Sequence, residues 1–206
     1  MKDVILIGAG GYAKSVLDSL DRTKFNVIGF IDSYKDKKEH LGFPILGKTI
    51  DEIENKDSYY YFVSIGDNVD RKKWFDSIIE HNLKTINVID KSAIVSENAE
   101  IGEGCFFGKM SIVNACATIG NNCVINTRSL VEHGCTVCDH VNISTNSVIN
   151  GDVIVKEGAF VGSCSVTIGQ LTIGKWSMVG AGAVVTKNVC DNTTVAGVPA
   201  REIIKR

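Results

Sequence analysis

From Ile89 onward an aliphatic residue recurs at every sixth position, through Val95, Ile101, Phe107, Val113 and Ile119 to Val179 and Val185. Seventeen positions fall on this line, and only Thr167 is not Ile, Val or Phe. A helix returns side chains to one face about every 3.6 residues, so a sustained period of six is not helical. Six is a multiple of the strand period of two, so every residue on the line can point to one interior. Short strands joined by tight turns and stacked in this way form a parallel β-helix. A second line, from Ala93 by sixes to Ala183, consists mostly of small residues, among them Cys105, Cys123 and Cys135. Glycine follows the aliphatic residue at 102, 108, 120, 162, 174 and 180, positions where a Cβ would hinder the backbone. Twenty glycines against two prolines suit a fold with many tight turns and little tolerance for a missing backbone donor.

Bulk properties narrow the function classes. The chain has 206 residues, a 44% apolar share and a net charge of −2, which suit a globular protein and give no footprint for nucleic acid or an anionic membrane. No apolar run is long enough to span a bilayer, so membrane insertion is not expected. The first residues, MKDVILIGAGGYAK, carry no small-residue cleavage site and run into a strand–turn pattern, so a cytoplasmic location is expected. The seven cysteines include one CxxC pair, Cys135 and Cys138, without the second pair or spaced histidines of a zinc site. They are read as small packing residues, and no metal is expected.

Residues 1–86 follow a different rule. VILIG at 4–8 reads as a strand, GAGGYAKSVLDSL as a glycine turn opening a helix, and NVIGFID at 26–32 as a second strand ending in Asp32. YYYFVSIGDN at 59–68 reads as a third strand and RKKWFDSIIEHN at 71–82 as a helix. Alternation of this kind predicts a small α/β, Rossmann-like domain with ligands at the strand C-terminal ends, ahead of a β-helix domain over 87–206. Gly8, Gly10 and Gly11 make a GxGG turn, since Ala13 stands where the full dinucleotide fingerprint has glycine. The turn is either a phosphate cradle at a helix N-terminus or a plain strand–helix connection. Asp32 is either a hydroxyl acceptor for a ribose or sugar, or a cap.

The runs IGEGCFFG, IGNNCVIN and IGKWSMVGAGAVV resemble the hexapeptide-repeat acyltransferases, and AGVPAREI resembles their closing segment. The resemblance implies a left-handed prism, contrary to the usual crossover hand, with three hexapeptides per coil. It also implies a homotrimer binding acyl-CoA between neighbouring prisms. Joined to the first half, GAGGYAKSVLD at 8–18, FID at 30–32, SIGDNVDRKK at 64–73 and INTRSLVEHGC at 125–135 resemble the NeuD/PglD-type sugar acyltransferases over nearly the whole chain. That implies an N-terminal domain holding a nucleotide-linked sugar through Gly10, Gly11, Asp32, Gly66, Asp67 and Asn68. Tyr12, where relatives often carry His, would lie near the sugar.

Of the four histidines, His40 sits in the charged stretch KDKKEHLG and His81 ends a helix, so both are expected to be solvated. His133 follows interior Val131 by two residues and therefore falls near a turn, beside Glu132. One coil of eighteen residues later stands Gly151. Residues one coil apart stack at roughly 4.8 Å. A base at 133 and a backbone N–H at 151 would share a corner, as acyl transfer requires; the alternative is a surface histidine on a turn. The resemblance implies the same roles: His133 as base, Glu132 orienting it, Asn126 positioning the acceptor and Gly151 donating to the acetyl carbonyl. Relatives often carry a second histidine at the position of Asn142, near the thioester, and His140 is out of that register. Gly180 and Lys187, with Arg201, are read as part of the CoA groove.

Together these features predict acetyl-CoA-dependent N-acetylation of a nucleotide-linked amino sugar, UDP-4-amino-4,6-dideoxy sugar first, for bacterial surface glycan synthesis. The nearest alternative is O-acetylation of a sialic or related nonulosonic acid. An NAD-binding redox protein on the glycine turn and a non-catalytic β-helix are the alternatives from other classes.

Overall fold

The structure is a computed structural model and describes residues 1–34 and 38–203. The N-terminal α/β unit contains β1 (Lys2–Ile7), α1 (Tyr12–Ser19), β2 (Phe25–Ile31), β3 (Glu39–His40), β4 (Phe43–Gly47), β5 (Tyr60–Val63), α2 (Asn68–Glu80) and β6 (Lys84–Thr85). Its sheet runs β3-β4-β2-β1-β5-β6, parallel except for the β3–β4 hairpin. Strand alternation divides β1 between two cores. Val4 and Leu6 pack with Ala13 and Val16 of α1, while Ile5 and Ile7 pack with Phe75 and Ile78 of α2. The hairpin was not expected from the sequence. It puts His40 edge-on against Phe30, with ring centroids 5.3 Å apart, rather than free in solvent. His81 likewise has partners, Ser77 O at 2.7 Å and Asp51 Oδ1 at 3.2 Å.

From Val88 the chain winds as a left-handed parallel β-helix of two-residue strands, each paired with the strand eighteen residues on. Three faces result. The docking face carries Val88, Phe106, Val124, Asn142, Phe160 and Met178 outward. The aliphatic face carries Ile94, Ile112, Leu130, Val148, Val166 and Val184 outward. The third carries Glu100, Thr118, Thr136, Ile154 and Thr172. The predicted interior ladder is buried from Phe107 to Val185, whereas Ile89 at the first coil is 43% exposed. Fully burying one such side chain contributes about 1.5–3 kcal/mol, so the ladder is the main source of prism stability.

The small ladder has a second task besides packing. Ser129, Ser147, Ser165 and Ser177 donate Oγ–H to the carbonyl three residues back. Cys105, Cys123 and Cys135 donate their thiols to carbonyls fifteen residues on. All seven cysteines are free thiols. The glycines also separate into two roles. At Gly102 and Gly120 a Cβ would lie 2.7 Å from backbone of the next coil, so close approach of coils demands glycine there. Left-handed φ falls two positions further along the hexapeptide, at Gly104, Asn122, Gly134, His140 and Gly158 among others, whether or not glycine stands there.

The α/β unit sits on the docking face. Val88, Phe106 and Val124 belong to the same core cluster as α1, and Tyr12 meets Phe106 edge-on at 5.3 Å. Asp18 of α1 and buried Asp90 of the first coil share Lys109, each at 3.2 Å.

Candidate active site

The expected site residues gather in two separate assemblies. The first is a cavity of about 390 Å³ at the C-terminal ends of β1, β2 and β5, lined by Gly8, Gly10, Gly11, Tyr12, Asp32, Gly66 and others. Gly8 has φ +98°, and a Cβ there would collide with Ile65, so this position requires glycine. Gly10 and Gly11 face open space instead, which leaves room for a ligand against the N-terminus of α1. Ser64 pins the turn by donating to Gly8 O at 2.6 Å. Asp32 Oδ2 accepts from Ala9 N–H at 2.7 Å and Oδ1 from Tyr34 N–H at 2.9 Å. It thus braces the glycine turn, as the capping reading expects, while bordering the cavity.

Two of the expected cavity residues lie elsewhere. The α2 helix begins at Asn68, three residues earlier than the sequence suggested, and Asp67 becomes its N-cap. Its Oδ1 accepts from Val69 and Asp70 N–H at 2.9 and 3.0 Å. Asn68 turns away to the prism and donates to Gly158 O and Ala159 O. Tyr12 borders the cavity, but its hydroxyl is buried at the domain junction without a hydrogen-bond partner, and burial pushes its pKa far up.

The second assembly is the prism corner between the aliphatic and third faces. His133 is exposed there, and its imidazole lies against Gly151: a Cβ on Gly151 would be 2.7 Å from Cε1 and 2.9 Å from Nε2. The N–H of His133 donates to Glu132 Oε2 at 3.2 Å, so Glu132 braces the turn rather than the ring as expected. Gly151 O accepts from Gln170 N–H, and its own N–H has no acceptor among the described residues. Two coils beyond Gly151 in the same column, exposed Lys187 borders a cavity of about 240 Å³ shared with Arg201.

The remaining expected residues do not join this corner within one chain. Asn126 and Gly180 belong to one column at the corner between the docking and aliphatic faces, where Asn126 Oδ1 accepts from Thr127 N–H at 2.8 Å. Asn142 lies on the docking face, 7% exposed, with its Oδ1 unpartnered, so it does not reach Gly151 of its own chain. His133 stands at the corner opposite that face, so one chain presents its cavity and its histidine on different sides of the prism. Among the described residues no cluster suited to a metal is present.

Comparison with known proteins decides the family. Residues 3–78 match the model described as the PglD N-terminal domain. Perosamine N-acetyltransferase from Caulobacter crescentus, solved as a histidine-to-asparagine variant with CoA and GDP-perosamine, is 32% identical with a TM-score of 0.93. The match covers 100% of this chain and 98% of that one. The acetyltransferase domain of PglB from Neisseria gonorrhoeae is 27% identical with a TM-score of 0.94, covering 98% of this chain and 100% of that one. The chain belongs to the NeuD/PglD family of sugar acyltransferases. It also matches an uncharacterized protein of Acanthamoeba polyphaga mimivirus at 34% identity over 108 residues, spanning 21% of that protein's length.

Part of the cavity of this NeuD/PglD-family chain was not legible in the sequence. Ser33, Tyr34, Ile65, Asp70, Lys73 and Trp74 also line it. Starting α2 at Asn68 would have found three of them, because 70, 73 and 74 then share a helix face. Lys73 supplies a cation at the cavity, 3.3 Å from Asp70.

Proposed function

We propose that this chain transfers the acetyl group of acetyl-CoA to the amine of a nucleotide-linked amino sugar. The observation that carries the reading is the imidazole of His133 set against Gly151, whose N–H has no acceptor. The amine attacks the thioester carbonyl, His133 takes its proton, and the Gly151 N–H supports the oxyanion. Collapse expels CoA thiolate, which receives the proton from His133. Thiolate is already a good leaving group, so no acyl-enzyme is needed. Lys187 meets a CoA phosphate as a point charge, and the column Gly151, Gly169, Lys187 leaves the corner open for the donor's arm.

The nucleotide rests in the glycine-turn cavity, its phosphates at the N-terminus of α1 and near Lys73. Cavity and histidine lie on opposite sides of one prism, so the working site takes its two parts from different copies. The unpartnered aliphatic row from Ile94 to Val184 supports burial between copies in a homotrimer. Asn126 and Gly180 then reach the site from the neighbouring copy. The reading carries with it a cytoplasmic location, ahead of surface glycan assembly.

Thiol release from acetyl-CoA is measured against UDP- and GDP-linked 4-amino-4,6-dideoxy sugars and free sialic acid in parallel. The UDP-linked amine is the first candidate, and the perosamine relative's ligand makes the GDP-linked amine the second. Turnover with either amine supports the reading. Turnover with sialic acid alone replaces it with O-acetylation.

A further inference from the structure

Arg71 is 1% exposed and has no carboxylate partner among the described residues. Its Nε donates to Asn122 O at 3.2 Å and Nη2 to His140 O at 2.8 Å. Nη1 donates to Gly66 O at 3.2 Å and Asn68 Oδ1 at 2.9 Å. Guanidinium is always charged in proteins and costly to bury without a counter-ion. Here four neutral oxygens replace water around it, and burial lowers its pKa. A methionine or leucine would fill this space without that demand, so the fork has a geometric task.

The acceptors reveal the task. Gly104, Asn122, His140 and Gly158 are left-handed turn residues, each one coil above the last at the corner between the third and docking faces. The α2 helix runs down this column. Phe75 packs over Gly104, where a Cβ would be 2.6 Å from Cε2. Arg71 grips the next two coils and Asn68 donates to Gly158 O at 3.0 Å. The His140 ring completes the joint, with Nδ1 2.9 Å from Asn122 Nδ2 and its face edge-on to Phe75 at 5.9 Å. The same guanidinium holds Gly66 O, and Gly66 borders the glycine-turn cavity.

We propose that Arg71 and Asn68 are positioning residues that fix the nucleotide-sugar cavity over the prism, so that the acceptor amine meets the acetyl group at a set distance. This rests on the acetyltransferase reading above. Neither residue touches the reacting atoms. Both act through the placement of the loop at Gly66 and the N-terminus of α2. A displacement of about 1 Å between reacting groups costs on the order of a hundredfold in rate, whereas a binding cavity moved as a rigid body keeps its ligand.

The test uses the full chain with Arg71→Met, Arg71→Lys and Asn68→Ala. Expected for Arg71→Met is a fall in kcat of about tenfold to a hundredfold. Affinities for UDP or GDP alone and for CoA, read by calorimetry, should stay within about twofold of wild type. Arg71→Lys should recover part of the loss, and Asn68→Ala, which removes the grip on one coil, should lower kcat less. Hydrogen exchange at residues 120–123 and 138–141 should rise in Arg71→Met without any substrate. Wild-type kcat in both Asn68→Ala and Arg71→Lys overturns the proposal even if Arg71→Met does not fold, and unchanged exchange in a folded Arg71→Met overturns it as well. So does a loss of nucleotide affinity in proportion to kcat. If exchange rises but wild type acetylates no sugar, the acetyltransferase reading fails, and with it the positioning role, while the domain clasp stands.

Discussion

Gly151→Ala tests the active-site corner with a single methyl group. The added Cβ would lie 2.7 Å from His133 Cε1, against an optimal carbon–carbon separation of about 3.5–4.0 Å. The imidazole must therefore retreat by about 1 Å or rotate away. Gly151 is not in the left-handed region, so alanine fits its backbone, and His133 is exposed and free to move. The stability cost should stay within about 0.5 kcal/mol, as for surface changes. A base displaced by 1 Å costs about a hundredfold in kcat, equivalent to about 2.7 kcal/mol of transition-state stabilisation. Steady-state thiol release, paired with thermal denaturation and CoA calorimetry, separates these effects. The expected variant melts like wild type, binds CoA within about threefold and turns over about a hundredfold more slowly. A kcat within threefold of wild type would refute the argument, because the ring would then not need its place over Gly151.

Other consequences are equally direct. Thr167 stands in the aliphatic ladder between Ile149 and Val185, fully buried with Oγ1 unpartnered, so Thr167→Val should raise stability by about 1 kcal/mol in denaturant titration. A loss of stability would show that the hydroxyl has a partner. At Asp90, burial alone would raise the pKa, but hydrogen bonds from Ser92, Ser19 and Lys109 outweigh it and hold the carboxyl well below its usual range. Its contribution is therefore full above the unfolded carboxylate pKa of about 3.9 and is lost as pH falls below it. Asp90→Asn should be destabilised at pH 7, with the gap to wild type narrowing below about pH 4; a pH-independent gap would contradict the linkage. Co-expressing His133→Ala copies with copies whose cavity is filled by Gly10→Trp should restore about a quarter of wild-type activity, since each shared site needs one intact part from each copy. No recovery would place both parts of the site in one chain.

The prism was legible because its period of six leaves the aliphatic line on one face through every coil, from Phe107 to Val185. Even the burial of Cys105, Cys123 and Cys135 followed from their line. The corner at His133 and Gly151 was legible for the same reason, since a fixed coil length turns sequence spacing into contact. Less was visible in the α/β unit. The β3–β4 hairpin follows a charged stretch without strand alternation, and Lys35 to Lys37 lie outside the described residues. The start of α2 was missed because SIGDN read as the end of a strand. The resemblance alone had put Asp67 and Asn68 at the sugar site; with α2 starting at Asn68, one caps the helix and the other binds the prism. Asn142 illustrates a different limit. Only the resemblance put it near the thioester; nine residues is half a coil, which leads within one chain to a different face from His133. Arg71 carried no local signal for its grip on the prism, because the two acceptors there are carbonyls some fifty to seventy residues away.

His133→Ala tests the central claim most directly, with kcat measured on the sugar that wild type accepts and CoA and nucleotide affinities measured beside it. A positioned general base contributes about 10²–10⁴-fold, so kcat should fall by that factor while both affinities and the assembly state remain those of wild type. Turnover within a few-fold of wild type would contradict the assignment of His133 as the base.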